Sequence, residues 1–123
     1  MTLLLIALGA AVGAPARYLT DRAVQARHDS VFPWGTLTVN VVGCFVLGVF
    51  TAAATRGAVG SALLAAVGTG FCGALTTYST FGYETLRLLE EGAVLEAVAN
   101  AVGSVTAGLG AAVLGWAVGV AVF

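Results

Sequence analysis

Charge is what this chain has least of. Its 123 residues carry eleven charged side chains, five of them Arg or Lys and six Asp or Glu. A soluble domain this short needs a polar shell around a single core, and a chain that is 59% hydrophobic cannot build one from so few charges. Proline is nearly absent, with two residues. The one histidine, His28, stands beside Asp29 with no second His or Cys near it, and reads as a solvated loop residue rather than a metal ligand. The two cysteines, Cys44 and Cys72, both fall in apolar stretches. They make no disulfide framework of the kind found in small secreted domains, and read as small packing residues.

Glycine (17 residues) and alanine are abundant instead, a composition that suits close helix–helix contact in lipid. Uncharged runs extend over Met1–Ala16, Ser30–Thr55, Gly57–Tyr83 and Ala97–Phe123. A bilayer core needs about 20 apolar residues per helix. Four spans are therefore expected, at about 2–22, 33–54, 57–84 and 96–121, in a single all-α membrane domain covering 1–123. Ala14-Pro15-Ala16 resembles a signal-peptidase site, but no positively charged segment precedes the first apolar run, so that helix is expected to stay. Arg17, Arg22, Arg27 and Arg87 fall on one membrane side and Arg56 on the other. That bias favours an outside N-terminus and leaves insertion in either direction open.

The spans are as notable for what they omit. No Asp, Glu, Lys or His lies well inside any of them. Proton-coupled pumps and cation exporters need an intramembrane carboxylate or His, and membrane enzymes of this size need such groups for catalysis. The polar groups present are neutral. Span 1 carries Gly9 and Gly13, a small-residue pair on one face, and four residues on comes Arg17, either a snorkelling anchor or a cation at a vestibule. Span 2 opens on Trp34, an interface anchor. It holds Asn40 about two turns inside, which either bonds a neighbouring helix or points its amide into a pore. Span 3 clusters Gly68, Gly70 and Gly73 ahead of Thr76-Thr77-Tyr78-Ser79-Thr80-Phe81. This composition predicts a helix broken mid-membrane, and broken backbone at that depth must be buried or line a cavity. Tyr78 and Phe81, three apart, share a face. Span 4 carries Asn100, Ser104, Gly108 and Ala112 at spacings of four, with Ser104 deep enough to offer a hydroxyl to a pore, and Ala111, Gly115 and Gly119 as a second small-residue seam. Amides, hydroxyls and the positive edges of aromatic rings solvate an anion without trapping it, as passive conduction requires.

Three stretches resemble the Fluc/CrcB family of small fluoride channels: Gly13-Ala14-x-x-Arg17-Tyr18, Gly35-Thr36-Leu37-x-x-Asn40-x-x-Gly43 and Gly73-x-x-Thr76-Thr77-Tyr78-Ser79-Thr80-Phe81. Their order and spacing agree with the family over essentially the whole chain, and the third is the specific one. The resemblance implies a fluoride-selective channel that lets fluoride leave the cytoplasm passively through the cell (plasma or inner) membrane. It implies an antiparallel, dual-topology dimer with two pathways along the interface. The partner would be a second copy of the chain or a paralogous subunit, and no nucleic acid is involved. In that picture Asn40 and Ser104 donate to the ion, Tyr78 and Phe81 turn ring edges toward it, and Thr76, Thr77, Ser79 and Thr80 form a polar track. Arg17 sits by a vestibule. The break near Gly73 and Ala74 supplies backbone carbonyls to a structural sodium ion at the dimer centre. The family usually has Phe where Tyr78 stands, and Tyr is frequent where Asn100 stands.

Two other readings compete. A small multidrug-type exporter shares the four helices, but needs an embedded carboxylate, whereas Asp21 and Glu84 lie at span ends. A non-conducting scaffold subunit would account for the glycine seams but leaves the Thr-Thr-Tyr-Ser-Thr-Phe cluster without a purpose.

Overall fold

In hydrocarbon every backbone N–H and C=O must be satisfied within the protein, and long uncharged runs do so by forming helices. A computed structural model describing Met1–Phe123 contains helices and no strand. Helix α1 covers Thr2–Ala26 and passes through Pro15 without interruption; α2 covers Trp34–Thr55. The third span starts as Ser61–Leu64, widens into a π-helix over Ala65–Cys72 and closes with an α-turn at Gly73–Leu75; these pieces together are α3. After an interruption, α4 covers Ser79–Glu90, and α5 covers Val94–Val122. The four apolar stretches, Thr2–Ala26, Trp34–Thr55, Ser61–Glu90 and Val94–Val122, are each long enough to cross a membrane. The broken third span is thus present.

The break itself falls a few residues later than the sequence suggested. The backbone stays helical through Gly73 (φ −63°, ψ −36°) and Leu75, and turns extended at Thr76 (φ −79°, ψ 158°). A π-helix usually lasts a single turn; eight residues of it here were not foreseen.

Two glycine seams hold the bundle together. On the first, α1 lies directly on α3: a Cβ at Gly9 would land on the Ala66 carbonyl, one at Gly13 on the Phe71 carbonyl, and one at Gly70 on the Ile6 carbonyl. On the second, α2 lies on α5: Gly48 faces the Ala112 carbonyl and the Trp116 N–H, and Gly115 faces the Phe45 carbonyl. Backbone contact of this kind is how helices associate in lipid, where no hydrophobic drive exists between them.

The short connections after α2 and α4 end in the same way. Gly57 (φ +77°) and Gly92 (φ +79°) take the left-handed conformation that glycine adopts without strain. The following N–H groups of Ala58 and Ala93 return to Ala53 and Leu88 carbonyls, both at 2.8 Å, the 6→1 bond of a Schellman cap. Between α1 and α2, the Gln25 amide bonds the Phe32 carbonyl (3.2 Å) and accepts from the Gly35 N–H (3.2 Å). His28 stacks on Trp34 with ring centroids 5.5 Å apart, and no group of His, Cys or acidic residues forms a metal site.

Only 21 of the 123 residues are buried, far fewer than a water-soluble domain needs for its core. Much of the apolar surface faces outward. Leu4, Leu8 and Val12 on α1, and Val98, Val102, Val105, Leu109 and Val113 on α5, are all exposed, as expected where lipid or another membrane helix is the neighbour.

Candidate functional site

The site is built around the break in the third span. When an α-helix stops at Leu75, its last carbonyls and the first N–H groups of the next helix lose their ordinary partners. Asn40, at the third turn's edge of α2, takes over part of that role. Its Oδ1 accepts from the Thr77 N–H (2.7 Å) and its Nδ2 donates to the Thr77 carbonyl (3.0 Å). A single side-chain amide thus pairs with both backbone groups of Thr77, the residue after the extended Thr76. The second Nδ2 hydrogen is left over. Thr77 Oγ1 accepts from the Thr80 N–H (3.2 Å), the side-chain bond that starts a helix, and approaches Ser79 Oγ at 3.5 Å. Thr76 Oγ1 donates back to the Cys72 carbonyl (2.8 Å). With the Thr77 N–H given to Asn40, the Gly73 carbonyl has no backbone donor, and none reaches the Ala74 carbonyl.

Beside the break lies a cavity of about 440 Å³, open on one side. Asn40, Thr76, Thr77, Tyr78, Phe81 and Ser104 all line it, together with Gly73, Cys44 and Cys72. Residues from α2, the break, α4 and α5, up to 64 positions apart in Asn40 and Ser104, therefore meet on one surface. Tyr78 and Phe81 are 6.0 Å apart between ring centroids with planes tilted by 48°, within the range of edge-to-face aromatic contacts. Phe81 is half-buried, while Tyr78 is 85% exposed on the open side. The walls carry glycine, alkyl and aromatic carbon with a few neutral hydroxyl and amide groups; no charged residue contributes.

A second, smaller cavity of about 140 Å³ lies on the other side of Thr77. Arg17 and Thr80 line it with Tyr18, Asp21 and Thr36. Thr77 is the residue common to both cavities. Arg17 thus stands apart from the Asn40 group, and forms no ion pair within 4.0 Å. Ser79 lines neither cavity. Two carboxylates lie within helices rather than at their ends: Glu84, midway along α4, accepts from Thr36 Oγ1 (2.5 Å) at the start of α2, and Asp21, in the last two turns of α1, lies against Gly35.

Two further residues take part: Thr85, which no motif marks, and Asn100, known from the sequence only as part of a polar stripe. Thr85 and Asn100 join Ser104 and the Phe81 carbonyl in a hydrogen-bonded chain behind the larger cavity. The spacing of Asn100 and Ser104 put them on one stripe, but nothing in the residue types paired Asn100 with Thr85 across two helices. Cys44 and Cys72 also line the larger cavity.

The Tyr78 hydroxyl makes no hydrogen bond within the chain, in contrast to Tyr18, which accepts from Arg22. Tyr78→Phe therefore removes no internal partner. Ion flux through this variant is expected to stay within about threefold of the parent, because exposed substitutions that break no bond shift energies by about 0.5 kcal/mol or less. Loss of all flux would show that the hydroxyl, not the ring edge, is what matters at this position.

Four membrane-length helices, a broken third span and a neutral polar groove beside the break define a small multi-pass membrane protein with the makings of an ion pathway. Comparison with known proteins agrees. The family model described as "CrcB-like protein, Camphor Resistance (CrcB)" matches residues 4–116. A "Fluoride-specific ion channel FluC 1" of Streptomyces avermitilis is 63% identical over 115 residues, 94% of this chain and 93% of the relative. Proteins of the same name from Frankia casuarinae and Thermobifida fusca are 59% and 50% identical, covering 100% and 95% of this chain and 99% and 94% of their own lengths. The chain belongs to the CrcB family.

Proposed function

We propose that this protein is a fluoride-selective channel that lets fluoride leave the cytoplasm passively across the cell membrane. The observation that carries this reading is the larger cavity, where Asn40, Tyr78, Phe81 and Ser104 converge on a surface without a charged side chain. A channel must bind its ion well enough to admit it and weakly enough to release it. Amide and hydroxyl donors with aromatic ring edges supply attraction without a fixed countercharge that would hold the anion. The high identity to proteins named as fluoride-specific channels supports fluoride as the ion. An inside-negative potential drives an anion outward with about 2.3 kcal/mol per charge per 100 mV, so no coupling to another gradient is needed.

The functional unit in this reading is an antiparallel dimer. The cavity is open where Tyr78 is exposed, and the exposed α5 residues Val105 and Leu109 extend its wall. A second copy inserted the other way would close that side and complete two pathways. The Arg17 cavity would serve as a vestibule that attracts anions. Thr76, Thr77 and Thr80, with Ser79 at the turn, would form the polar track between the two cavities.

The break also suits the structural sodium ion that such a dimer would hold at its centre. The carbonyls of Gly73 and Ala74 lack backbone donors, and a Cβ at Gly73 would meet nothing within 4 Å, so another ligand could approach the backbone at Gly73. Carbonyl oxygens are the ligands a small hard cation accepts. Gly73 and Ala74 of each copy would hold it, and the ion would supply a fixed positive charge joining the copies.

The test is fluoride efflux from liposomes containing the purified protein alone, with chloride efflux in parallel. Rapid fluoride release with no chloride release is the expected result, and shows that one type of subunit suffices. Release of both anions, or of neither from well-folded protein, would overturn the selective-channel reading of this chain.

A further inference from the structure

Ser104 is the one hydroxyl that α5 contributes to the larger cavity, and its proton is already committed. Ser104 Oγ donates to Asn100 Oδ1 (3.0 Å), one turn earlier on the same helix. Asn100 Nδ2 donates to Thr85 Oγ1 on α4 (2.8 Å), and Thr85 Oγ1 donates to the Phe81 carbonyl (2.8 Å). All three bonds run in one direction, from the cavity hydroxyl to the turn that carries the cavity aromatic. Asn100 is only 1% exposed and lines neither cavity.

We infer that Asn100 is a positioning residue of the ion pathway: it aims the Ser104 hydroxyl and, through Thr85, fixes the turn bearing Phe81. This inference rests on the fluoride reading above. An anion beside Ser104 has to compete with the Asn100 carbonyl oxygen for the hydroxyl proton. A neutral amide oxygen holds that proton about half as strongly as a carboxylate would, so the hydroxyl can turn to the anion and return as it leaves. The amide presents an acceptor to Ser104 and a donor to Thr85 from one planar, uncharged group. Asn100 thus keeps the pathway's hydroxyl oriented between ions, which a serine free to rotate among several acceptors does not do.

The feature is separable from mere packing. Leucine at 100 has a similar volume and removes donor and acceptor together, leaving no buried charge. The experiment is a double-mutant cycle on fluoride efflux from liposomes, using wild type, Asn100→Leu, Ser104→Ala and the double variant, with flux normalised to reconstituted dimer. Each single change is expected to lower flux about tenfold, the effect of one lost hydrogen bond. The double variant is expected to fall no more than about twofold below the weaker single, because both changes remove one device. A structural defect would instead reduce the number of active channels, and its factor would multiply with that of Ser104→Ala. Multiplying losses, or an Asn100→Leu variant that conducts like wild type, would overturn the inference. Should Asn100→Leu fail to assemble, Thr85→Val breaks the chain at its next link and must show the same failure to multiply with Ser104→Ala; full multiplication there overturns it equally. A silent wild type would overturn the fluoride reading and this inference with it, whereas a conducting wild type with multiplying losses overturns this inference alone.

Discussion

Replacing Asn40 with aspartate is expected to lower fluoride flux by about 100-fold at neutral pH. The substitution keeps the shape and keeps an acceptor for the Thr77 N–H (2.7 Å in the parent), but it sets a carboxylate oxygen against the Thr77 carbonyl where an N–H had donated at 3.0 Å. It also puts a negative charge on the wall of a cavity that has none. Like charges brought together at a binding surface cost several kcal/mol, and about 3 kcal/mol corresponds to roughly 100-fold. Asn40→Ala probes the other half of the residue's work. It leaves both backbone groups of the nearly buried Thr77 without their partners, at about 1–3 kcal/mol each, so lower thermal stability is expected together with lost flux. Liposome efflux and thermal unfolding in detergent, measured on both variants, separate the two effects. Near-parental flux in Asn40→Asp would mean that the ion never meets this side chain and that Asn40 serves the break alone.

The second large effect is expected in assembly of the bundle. Gly48→Ala and Gly115→Ala each push a methyl group into backbone atoms of the facing helix, Gly48 against Ala112 and Trp116, and Gly115 against Phe45. Overpacking of this kind costs about 1–3 kcal/mol per site, offset by up to about 1 kcal/mol from alanine's better helix propensity. The pair together should lose up to about 4 kcal/mol, because the atoms met are rigid backbone, and unfold at a lower temperature. Gly103→Ala and Gly110→Ala on the same helix are the control, since a Cβ at either position meets nothing within 4 Å. Those two are expected to be neutral or slightly stabilising. Equal destabilisation by both pairs would show that the α2–α5 seam does not limit stability.

Much of this arrangement was legible in the residues, and the parts that were not share a physical cause. Long uncharged runs can do little else in a bilayer than span it, so four helices followed from run length alone. The break was visible because glycine and clustered hydroxyl residues interrupt an apolar run. Its exact position was not: the family resemblance put it near Gly73 and Ala74, yet the backbone opens at Thr76, where the hydroxyl cluster begins and Asn40 offers Thr77 another partner from 37 residues away. A long-range side-chain bond leaves no local pattern. The same holds for Asn100, whose partner Thr85 lies on another helix. The gathering of Asn40, Tyr78, Phe81 and Ser104 was anticipated from a family motif, and the cavity brings those four together. Arg17 and Thr80 occupy a different cavity behind Thr77, a separation that one-dimensional spacing could not express. The eight-residue π-helix has no signal in residue type beyond its glycines, and arises where α1 presses directly on the α3 backbone.

The interruption at Thr76–Tyr78 also sets two helix ends of opposite polarity close together. The peptide dipoles of α3 leave a partial negative charge at its last turn, Gly73–Leu75, and those of α4 leave a partial positive charge at its first turn, beginning at Ser79. Three residues, Thr76 to Tyr78, lie between Leu75 and Ser79, so the field reverses sign over a short stretch of chain. The main chain by itself can therefore favour a cation at one end of the interruption and an anion at the other. Such a field does not titrate, and it holds its sign at any pH at which the helices stay folded.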